Sequence, residues 1–427
     1  MKQLRILLSF ALLATLMLLA GIVTAQDDEM MEASMLDSTS CEMSDGLPET
    51  VTIGAIFGLS GDISVYGGVQ QQGVDLAVAQ INEGGYLSEG VTLEVSYQDA
   101  VTADDAINAM TSLVEEEGVV AVLGPTLSTH AFAADPVAQE NGVPVMGVSN
   151  TATGITDMGD FVFRNSLPES SVIPGTIAQA TEILGLENVA VIYGDDDDFT
   201  LSGYDVFIEA LDASGVIITD EQTFARGDVD FNAQLSSLIA TEPDAIVASA
   251  LAAEGVQIIV QARELGYTGP IIGGNGLNSP AIIENAGEDA EGVIVGAAWN
   301  SVSDNPLSVQ FVADFEEAYG SAPDQFATQA YTGAWLMATA IRCANSTDSA
   351  AIRDALAGIA DFDSPLGMFS FAEDRNPIHD PVVQIVEEGA FGVLGGDMMD
   401  EDMEDMDEDM GDDEDMDDSE EDEEDGE

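Results

Sequence analysis

Ser128, Thr129 and His130 are consecutive and are the residues of this chain that most resemble catalytic machinery. In a hydrolase, a histidine removes the proton of a nucleophilic serine. In a binding protein, the same hydroxyls donate hydrogen bonds to a ligand. Residues two apart on a helix do not face each other, and no G-x-S-x-G elbow occurs. His379, the only other histidine, is remote in sequence. The pattern therefore favours ligand binding, and we expect no enzymatic activity.

The charge balance excludes several classes of function. The formal net charge is −73, and Lys2 is the only lysine. Nucleic acids and anionic membrane surfaces are not expected partners, because both are bound through Lys and Arg. A lysine-dependent phosphate loop or pyridoxal Schiff base is excluded as well, and we expect no cofactor and no metal site. Abundant carboxylates suggest a salty habitat, where screening relieves self-repulsion; a merely acidic exported protein is the alternative.

Residues 1–25 have the pattern of a secretory signal peptide. Lys2 and Arg5 precede the apolar run Ile6–Val23, and the small residues Val23-Thr24-Ala25 follow as a cleavage site. The alternative is a membrane anchor, because the run is just long enough to span a bilayer. We expect cleavage and export to the periplasm or the cell exterior.

Two further segments are too acidic and aperiodic to build a core. Residues 26–48 are predicted to be a flexible leader, and residues 395–427 a disordered tail. Weak binding of divalent cations is the alternative role for the tail. Cys41 and Cys343 are the only cysteines; in an exported chain an even count favours one disulfide, which would tether the leader, although two free thiols remain open.

Between these ends, short apolar runs alternate with amphipathic helices. Runs of this kind are typical of parallel strands buried on both faces. The predicted strands are Val51–Phe57, Val91–Tyr97, Val119–Gly124, Val143–Val148, Val189–Tyr193, Val216–Thr219, Ala245–Ala250 and Ile271–Gly273. The helix over Thr102 to Glu117 has a capping threonine and an apolar stripe. This alternation predicts an α/β fold of two doubly wound lobes.

A break at Asp160 to Pro174 separates the two runs and predicts a crossover between lobes. Open α/β sheets bind ligands at the carboxyl ends of their strands. The loops that follow the predicted strands are rich in hydroxyls, glycines and aromatic residues. The sequence therefore predicts a ligand cleft between two lobes.

Residues 51–394 resemble the leucine/isoleucine/valine-binding proteins, the type I periplasmic solute-binding proteins of ABC transporters. The resemblance is carried, in order, by GAIFGLSGDISVYG, GGVQQQGVDLAVAQINEGG, VLGPTLST, NGVPVMGVSNTAT, VAVIYGDDDDFTLSG and QARELGYTGPIIGGNGLNSP. It implies lobes that close on a small ligand around a three-crossing hinge. Lobe I is expected at 49–167 and 300–364, and lobe II at 168–299 and 365–394.

The resemblance also implies the ligand-binding residues, which are Tyr66, Ser128, Thr129, Ser149, Thr151, Phe199 and Asn275. Ser128 would bind a carboxylate at a helix N-terminus, and Thr151 would contact both polar ends of the ligand. The carbonyl of Ser149 would accept from an ammonium. Thr129 is a possible helper, and Tyr66 and Phe199 would flank the ligand side chain.

Two positions depart from the family pattern. Asn275 stands where a glutamate is expected for the ligand ammonium, and Leu251 stands where a tyrosine is expected. A buried ammonium without an anion is costly. Either another carboxylate replaces the glutamate, the loop Asp195–Asp198 being nearest in the alignment, or the ligand is an amide, urea or aromatic acid.

The expected function is that of a monomeric solute-binding protein that delivers an aliphatic or branched-chain amino acid, or a related small polar solute, to ABC-transporter membrane subunits. A sensory or regulatory ligand-binding module with the same fold is the alternative, because fold alone does not fix the partner.

Overall fold

The computed structural model describes Cys41 and residues 45–396. The predicted signal peptide, most of the leader and the tail beyond Gly396 lie outside the described residues. Within the described part, no helix is both long and apolar enough to cross a bilayer.

The first sheet has five parallel strands in the order β2-β1-β3-β4-β5. Its strands are β1 (Thr50–Phe57), β2 (Thr92–Asp99), β3 (Val122–Leu123), β4 (Val145–Gly147) and β5 (Val162–Arg164). The helices between them are α1 (Ser64–Glu83), α2 (Ala103–Thr111) and α3 (Ser128–Asn141). Strands β3 to β5 are buried along their whole length, as expected of parallel strands covered by helices on both faces.

The second sheet has seven strands in the order β15-β14-β10-β9-β8-β6-β7. Its strands are β6 (Asn188–Gly194), β7 (Ile217–Phe224), β8 (Ala245–Ser249), β9 (Ile271–Gly273), β10 (Val293–Ala297), β14 (Val382–Glu387) and β15 (Ala390–Val393). Its helices are α4 (Glu169–Leu184), α5 (Asp198–Ser214), α6 (Asn232–Ile239), α7 (Ala252–Glu264) and α8 (Pro280–Ala286). Strands β14 and β15 add in antiparallel fashion beside β10.

The chain returns to the first lobe after β10. The returning elements are α9 (Pro306–Tyr319), α10 (Gln325–Ala344), α11 (Ser349–Ala357), β11 (Phe362–Ser364), β12 (Gly367–Phe371) and β13 (Pro377–Ile378). Helix α10 is buried from Gln325 through Ile341 and belongs to the core of the first lobe. A helix that is enclosed on all sides is a rigid support, and the N-terminus of α10 lies at the cleft. The predicted α/β fold of two lobes is confirmed.

The start of the predicted helix after Thr102 is specified by residues next to it in the sequence. The Thr102 hydroxyl accepts from the backbone N–H of Asp105, and the Asp105 carboxylate accepts from the backbone N–H of Thr102. This reciprocal capping box confirms the predicted cap. The helix then widens into a π-turn over Ser112–Glu117 and ends at Gly118, whose φ of 70° is left-handed.

The segments that join the two lobes lie between β5 and α4, between β10 and α9, and between β13 and β14. The third crossing differs from the expected boundary between 364 and 365. Phe369 and Phe371 pack against each other in the first core, and Phe371 also packs against Phe163. Arg375 also donates to the carbonyl oxygens of Val162 and Thr156. Residues 365–378 therefore belong to the first lobe, and only β14 and β15 return to the second. Pro174, expected in the first crossover, lies inside α4.

Cys41 and Cys343 form a disulfide that spans 302 residues of sequence. It fixes residue 41 to the last turn of α10. Arg342 reinforces the attachment by donating to the carbonyl oxygen of Cys41 at 3.1 Å.

We expect the Cys41→Ser/Cys343→Ser double variant to lose about 2–4 kcal/mol of unfolding free energy, because a cross-link restricts the unfolded chain. Urea unfolding monitored by circular dichroism measures this loss. Reductant should destabilise the wild type and leave the double variant unchanged. Equal midpoints for the two proteins without reductant would contradict a stabilising role for the disulfide.

Candidate functional site

A cavity between the lobes collects most of the predicted site. Its lining residues are Tyr66, Thr126, Leu127, Ser128, Ser149, Phe199, Leu251, Asn275, Gly276 and Phe326. Its volume is ≈ 20 Å³, about the space of one water molecule. Thr129 and Thr151 are not part of this lining. Polar groups stand beside apolar walls, which match a small amphipathic molecule. At this volume the lobes must move apart to admit one.

Ser128 is the first residue of α3, directly after the loop that leaves β3. It is 1% exposed, and its hydroxyl accepts from the backbone N–H of Ala152 at 3.3 Å. The helix N-terminus brings partial positive charge to this end of the cavity. Ser128 is therefore placed where a carboxylate is stabilised.

A buried network fixes the floor of the cavity on the first lobe. The Thr126 hydroxyl donates to Gln70 Oε1 at 2.7 Å, and Gln70 Nε2 donates to the Ser149 hydroxyl at 2.7 Å. Ser149 in turn donates to the carbonyl oxygen of Thr126 at 2.6 Å. Each hydroxyl has two hydrogen-bond partners. The network therefore holds α1 and the loops after β3 and β4 in a fixed relative position at the cleft.

Tyr66 reaches across the cleft. Its hydroxyl donates to the carbonyl oxygen of Gly276 at 2.8 Å and accepts from the backbone N–H of Ala252 at 2.7 Å. Burial raises the pKa of Tyr66 well above its usual value, so the phenol stays neutral. Glycine at 276 lets its loop lie against residue 250, since a Cβ there would lie 2.3 Å from the carbonyl oxygen of Ala250. Tyr66 thus joins the lobes as well as lining the cavity.

The Thr129 hydroxyl takes part in a contact between the lobes. Its hydroxyl donates to Asp197 Oδ2 at 3.0 Å and accepts from the backbone N–H of Asp198 at 2.9 Å. Asp197 also caps α5, with Oδ1 accepting from Phe199 and Thr200. We call the Thr129–Asp197–Asp198 contact the latch.

Arg226 lies beside the latch and brings positive charge to it. Its guanidinium is 3.9 Å from Asp197 and 3.6 Å from Asp62, which belongs to the first lobe. Burial raises the pKa of Asp197, while Thr129, Arg226 and the capping N–H groups oppose that rise. The latch therefore depends on a buried carboxylate that needs several partners at once.

A buried carboxylate that the sequence did not single out stands behind the cavity. Glu169 is the first residue of α4 and is 1% exposed. Its Oε1 accepts from the backbone N–H of Asn275 at 3.0 Å. Burial raises its pKa to about 7, against the lowering effects of that N–H, the Thr151 hydroxyl and Arg164. Glu169 is thus a buried carboxyl directly bonded to the backbone of Asn275, the position where the family pattern has an acid.

Asn275 itself is held from the first lobe. Gln325, at the start of α10, donates from Nε2 to Asn275 Oδ1 and accepts at Oε1 from the backbone N–H of Ala298 at 2.9 Å. Leu251 and Phe199 form an apolar wall on the second lobe. Phe326 packs against Tyr66 in a tilted arrangement, with the ring centroids 4.8 Å apart.

Comparison with known proteins agrees with this geometry. A family model described as periplasmic binding protein matches residues 50–390. The chain belongs to the periplasmic binding protein family. The resemblance on which the sequence predictions rested is thereby confirmed.

Individual relatives match over most of their own length. The chain is 26% identical to the Leu/Ile/Val-binding protein BraC3 of Rhizobium johnstonii, over 76% of this chain and 88% of that protein. The leucine-binding protein LivK of Thermotoga maritima is 29% identical with a TM-score of 0.76, covering 80% and 97% of the two chains. The LivJ protein of Streptococcus pneumoniae, solved with isoleucine, is 29% identical with a TM-score of 0.76, covering 81% and 98%.

His130 does not support a hydrolase in this binding protein. Burial, together with the nearby charge of Arg226, lowers its pKa to about 4. The Ser128 hydroxyl is used by the Ala152 N–H, and His130 is not among the residues that line the cavity. The loop Asp195–Asp198, the sequence candidate for an acidic group, contributes Asp197 and Asp198 to the latch.

Four contributors were missed from the sequence, namely Gln70, Thr126, Glu169 and Phe326. Thr126 lies within the loop already suspected, so its position after β3 was the available signal. Gln70 and Phe326 follow helical spacing and read as ordinary core positions. Glu169 reads as an acid in the first turn of a helix, where acids are common on exposed surfaces.

We expect Thr129→Val to raise the dissociation rate of the bound ligand about tenfold, since it leaves Asp197 buried with one partner fewer. Stopped-flow measurement of ligand release tests this expectation. Thr111→Val is the matched control, because the Thr111 hydroxyl donates to Ile107 within a single helix. Equal release rates for the two variants would show that the latch does not hold the lobes together.

Proposed function

We propose that this protein is the solute-binding component of an ABC importer and that it captures an aliphatic or branched-chain amino acid outside the cytoplasm. The observation that carries the proposal is the polarity of the cleft. Ser128, at the N-terminus of α3, lines the cavity, and the buried carboxyl of Glu169 lies behind Asn275, another lining residue, from whose backbone N–H it accepts. A zwitterion has the complementary charges.

The walls support an apolar ligand side chain. Leu127, Phe326 and Tyr66 come from the first lobe, and Leu251 and Phe199 from the second. Burying an aliphatic group against such walls contributes about 25 cal/mol per Å². The names of the relatives agree, since BraC3 is a Leu/Ile/Val-binding protein and LivJ was solved with isoleucine.

Partner recognition follows from closure of the lobes. The latch, Tyr66 and the Gln325–Asn275 contact all join residues of different lobes. A ligand that bridges the lobes would favour this arrangement over an open one. We propose that the membrane subunits of the importer bind the closed form and that the protein acts as a monomer.

A thermal-shift panel of amino acids, small amides, urea and aromatic acids tests the ligand class at several salt concentrations. We expect leucine, isoleucine and valine to raise the melting temperature. Ser128→Ala and Thr151→Ala should each weaken leucine binding by about tenfold, the range of a hydrogen bond to a charged group. Ser171→Ala, an exposed serine on α4, is the control. A shift with an amide but none with the three amino acids would overturn this ligand assignment.

The affinity for leucine should rise with pH if Glu169 holds the ammonium. The pKa of Glu169 is about 7, so below pH 7 the carboxyl is mostly protonated and a cation must displace that proton. Affinity should fall by about tenfold per pH unit below pH 7 and level off above pH 8. Arg164, the charged neighbour of Glu169, stays protonated because its pKa is about 10.

Glu169→Gln should weaken leucine binding at pH 8 and flatten the pH profile. Glu182→Gln, on the exposed side of the same helix, is the matched control. Isothermal titration calorimetry from pH 5.5 to 8 measures both effects. A profile that keeps its slope in Glu169→Gln would assign the ammonium to another group.

A further inference from the structure

The guanidinium of Arg164 holds the loop that follows β4. Arg164 is the last residue of β5 and is 2% exposed. Its Nη1 donates to the carbonyl oxygen of Asn150 at 2.9 Å and to that of Ala152 at 2.7 Å. These two carbonyls flank Thr151. One buried cation therefore fixes the backbone on both sides of Thr151, because either carbonyl would lose a charge-assisted hydrogen bond if it turned away.

The loop 150–152 connects the two groups that are proposed to bind the polar ends of the ligand. The backbone N–H of Ala152 donates to the Ser128 hydroxyl at 3.3 Å, so the proton of that hydroxyl is directed elsewhere. The carbonyl oxygen of Thr151 accepts from the backbone N–H of Glu169 at 2.9 Å. Since Ser128 lines the cavity between the lobes and Glu169 lies behind it, the backbone of this loop sets the spacing of the two groups.

Arg164 is itself held from the side away from the loop. Its Nε donates to Asn376 Oδ1 at 2.6 Å, and Asn376 Nδ2 donates to Asp374 Oδ2 at 2.8 Å. Both partners lie in the turn between β12 and β13. The backbone N–H of Arg164 also donates to the carbonyl oxygen of Arg375 in this turn, at 3.4 Å. The planar guanidinium thus serves three acceptors in set directions, which a lysine ammonium on its flexible stem would not reproduce.

Arg164 also brings a buried positive charge close to Glu169. The charged groups that act on Arg164 are Asp374, Asp157 and Glu169. Burial raises the pKa of Glu169 to about 7, and Arg164 is the charged group that opposes this rise, together with the Asn275 N–H and the Thr151 hydroxyl. Loss of the Arg164 charge should therefore raise the pKa of Glu169 further.

We propose that Arg164 is a positioning residue of the ligand site. It is not among the residues that line the cavity. It acts by holding the loop 150–152, so that Ser128 and Glu169 keep the spacing that a zwitterion requires. The effect on ligand binding rests on the proposed function, whereas the effect on the loop can be measured without any ligand.

Hydrogen exchange of the ligand-free protein tests the hold on the loop. Arg164→Lys keeps a long cationic side chain and loses the fork, so the Ala152 amide should exchange about tenfold faster, as measured by mass spectrometry of peptides that contain it. Arg375→Lys is the matched control. Arg375 donates to the carbonyl oxygens of Val162 and Thr156 in the same lobe, and its replacement should leave the exchange of Ala152 unchanged.

Leucine affinity tests the consequence for binding. In calorimetric titrations at pH 8, Arg164→Lys should weaken leucine binding by about tenfold, and Arg375→Lys by less than about twofold. Urea unfolding of both variants measures the loss of stability in each. A loss of affinity confined to Arg164→Lys, at similar stability of the two variants, is an effect on the site.

The pH profile of binding separates positioning of the site from a purely structural role. Arg164→Met removes the charge, so the pKa of Glu169 should rise. The fall in leucine affinity on acidification should then begin at a pH about half a unit or more above that of the wild type. Arg375→Met removes a charge that is not among those acting on Glu169 and should keep the wild-type profile.

Two results would overturn the inference. One is unchanged exchange of the Ala152 amide in Arg164→Lys, since the loop would then keep its position without the guanidinium. The other is wild-type leucine affinity and an unshifted pH profile in the Arg164 variants. If the wild type does not bind leucine, the proposed ligand is wrong, and the exchange comparison decides the role of Arg164. If Arg164→Met does not fold, the two lysine variants decide it through exchange and affinity.

Discussion

Closure of two such acidic lobes depends on how the carboxylate of Asp197 is satisfied. The side chain is 4% exposed and holds a charge that water would otherwise stabilise. Its partners come from both lobes, namely the N-terminus of α5, the Thr129 hydroxyl and Arg226. When the lobes separate, Thr129 leaves and water must replace it. The same carboxylate positions Phe199 through the cap of α5, so closure and the shape of the apolar wall are linked through one residue.

Helix α10 carries this linkage to the hinge. Its buried length fixes its N-terminus against α1, where Phe326 packs against Tyr66. Gln325 there bonds both Asn275 and Ala298. Ala298 lies in the second crossing, so Gln325 connects a hinge strand to the ligand cleft. Rigid elements transmit small displacements better than loops do, because packed cores shift between discrete arrangements. A rotation about the hinge would therefore change the hydrogen bond between Gln325 and Asn275.

The sequence was informative wherever structure is decided by neighbouring residues. The alternation of buried strands and helices, the Thr102 cap and the ligand loops after β1, β3 and β4 all arise from local pattern. The last part of the chain was less predictable. Strands β11 to β13 pair with one another locally, as do β14 and β15. The lobe that each group joins is decided by residues far away in sequence, since Phe371 packs against Phe163 and β14 pairs with β10. The third crossing was misplaced for that reason, since nothing local tells Phe369 which lobe it will join.

The site shows the same division between local and long-range information. Ser128 lines the cleft cavity, and its position there was open to prediction because a strand end followed by a helix start is a local feature. Thr129, the next residue, has its hydroxyl in the latch, and only the approach of Asp197 decides that. Glu169 and Asp324 are both acids at helix starts, where acids are common as solvated caps. Their burial comes from the return of the chain between lobes, which no local pattern encodes.

The positions of the six arginines in the described part of the chain show how little positive charge is available to hold the lobes together. Arg164, Arg263, Arg342 and Arg375 donate chiefly to backbone carbonyl oxygens and fix loops within the fold. Arg353 pairs with Asp160 and Asp354 inside the first lobe. Among these cations, Arg226 is the one whose ion pairs join the two lobes. The lobes are both acidic and repel each other. Hydroxyls, helix N-termini and a single guanidinium oppose this repulsion at the cleft. These groups make their contacts only when the cleft is closed.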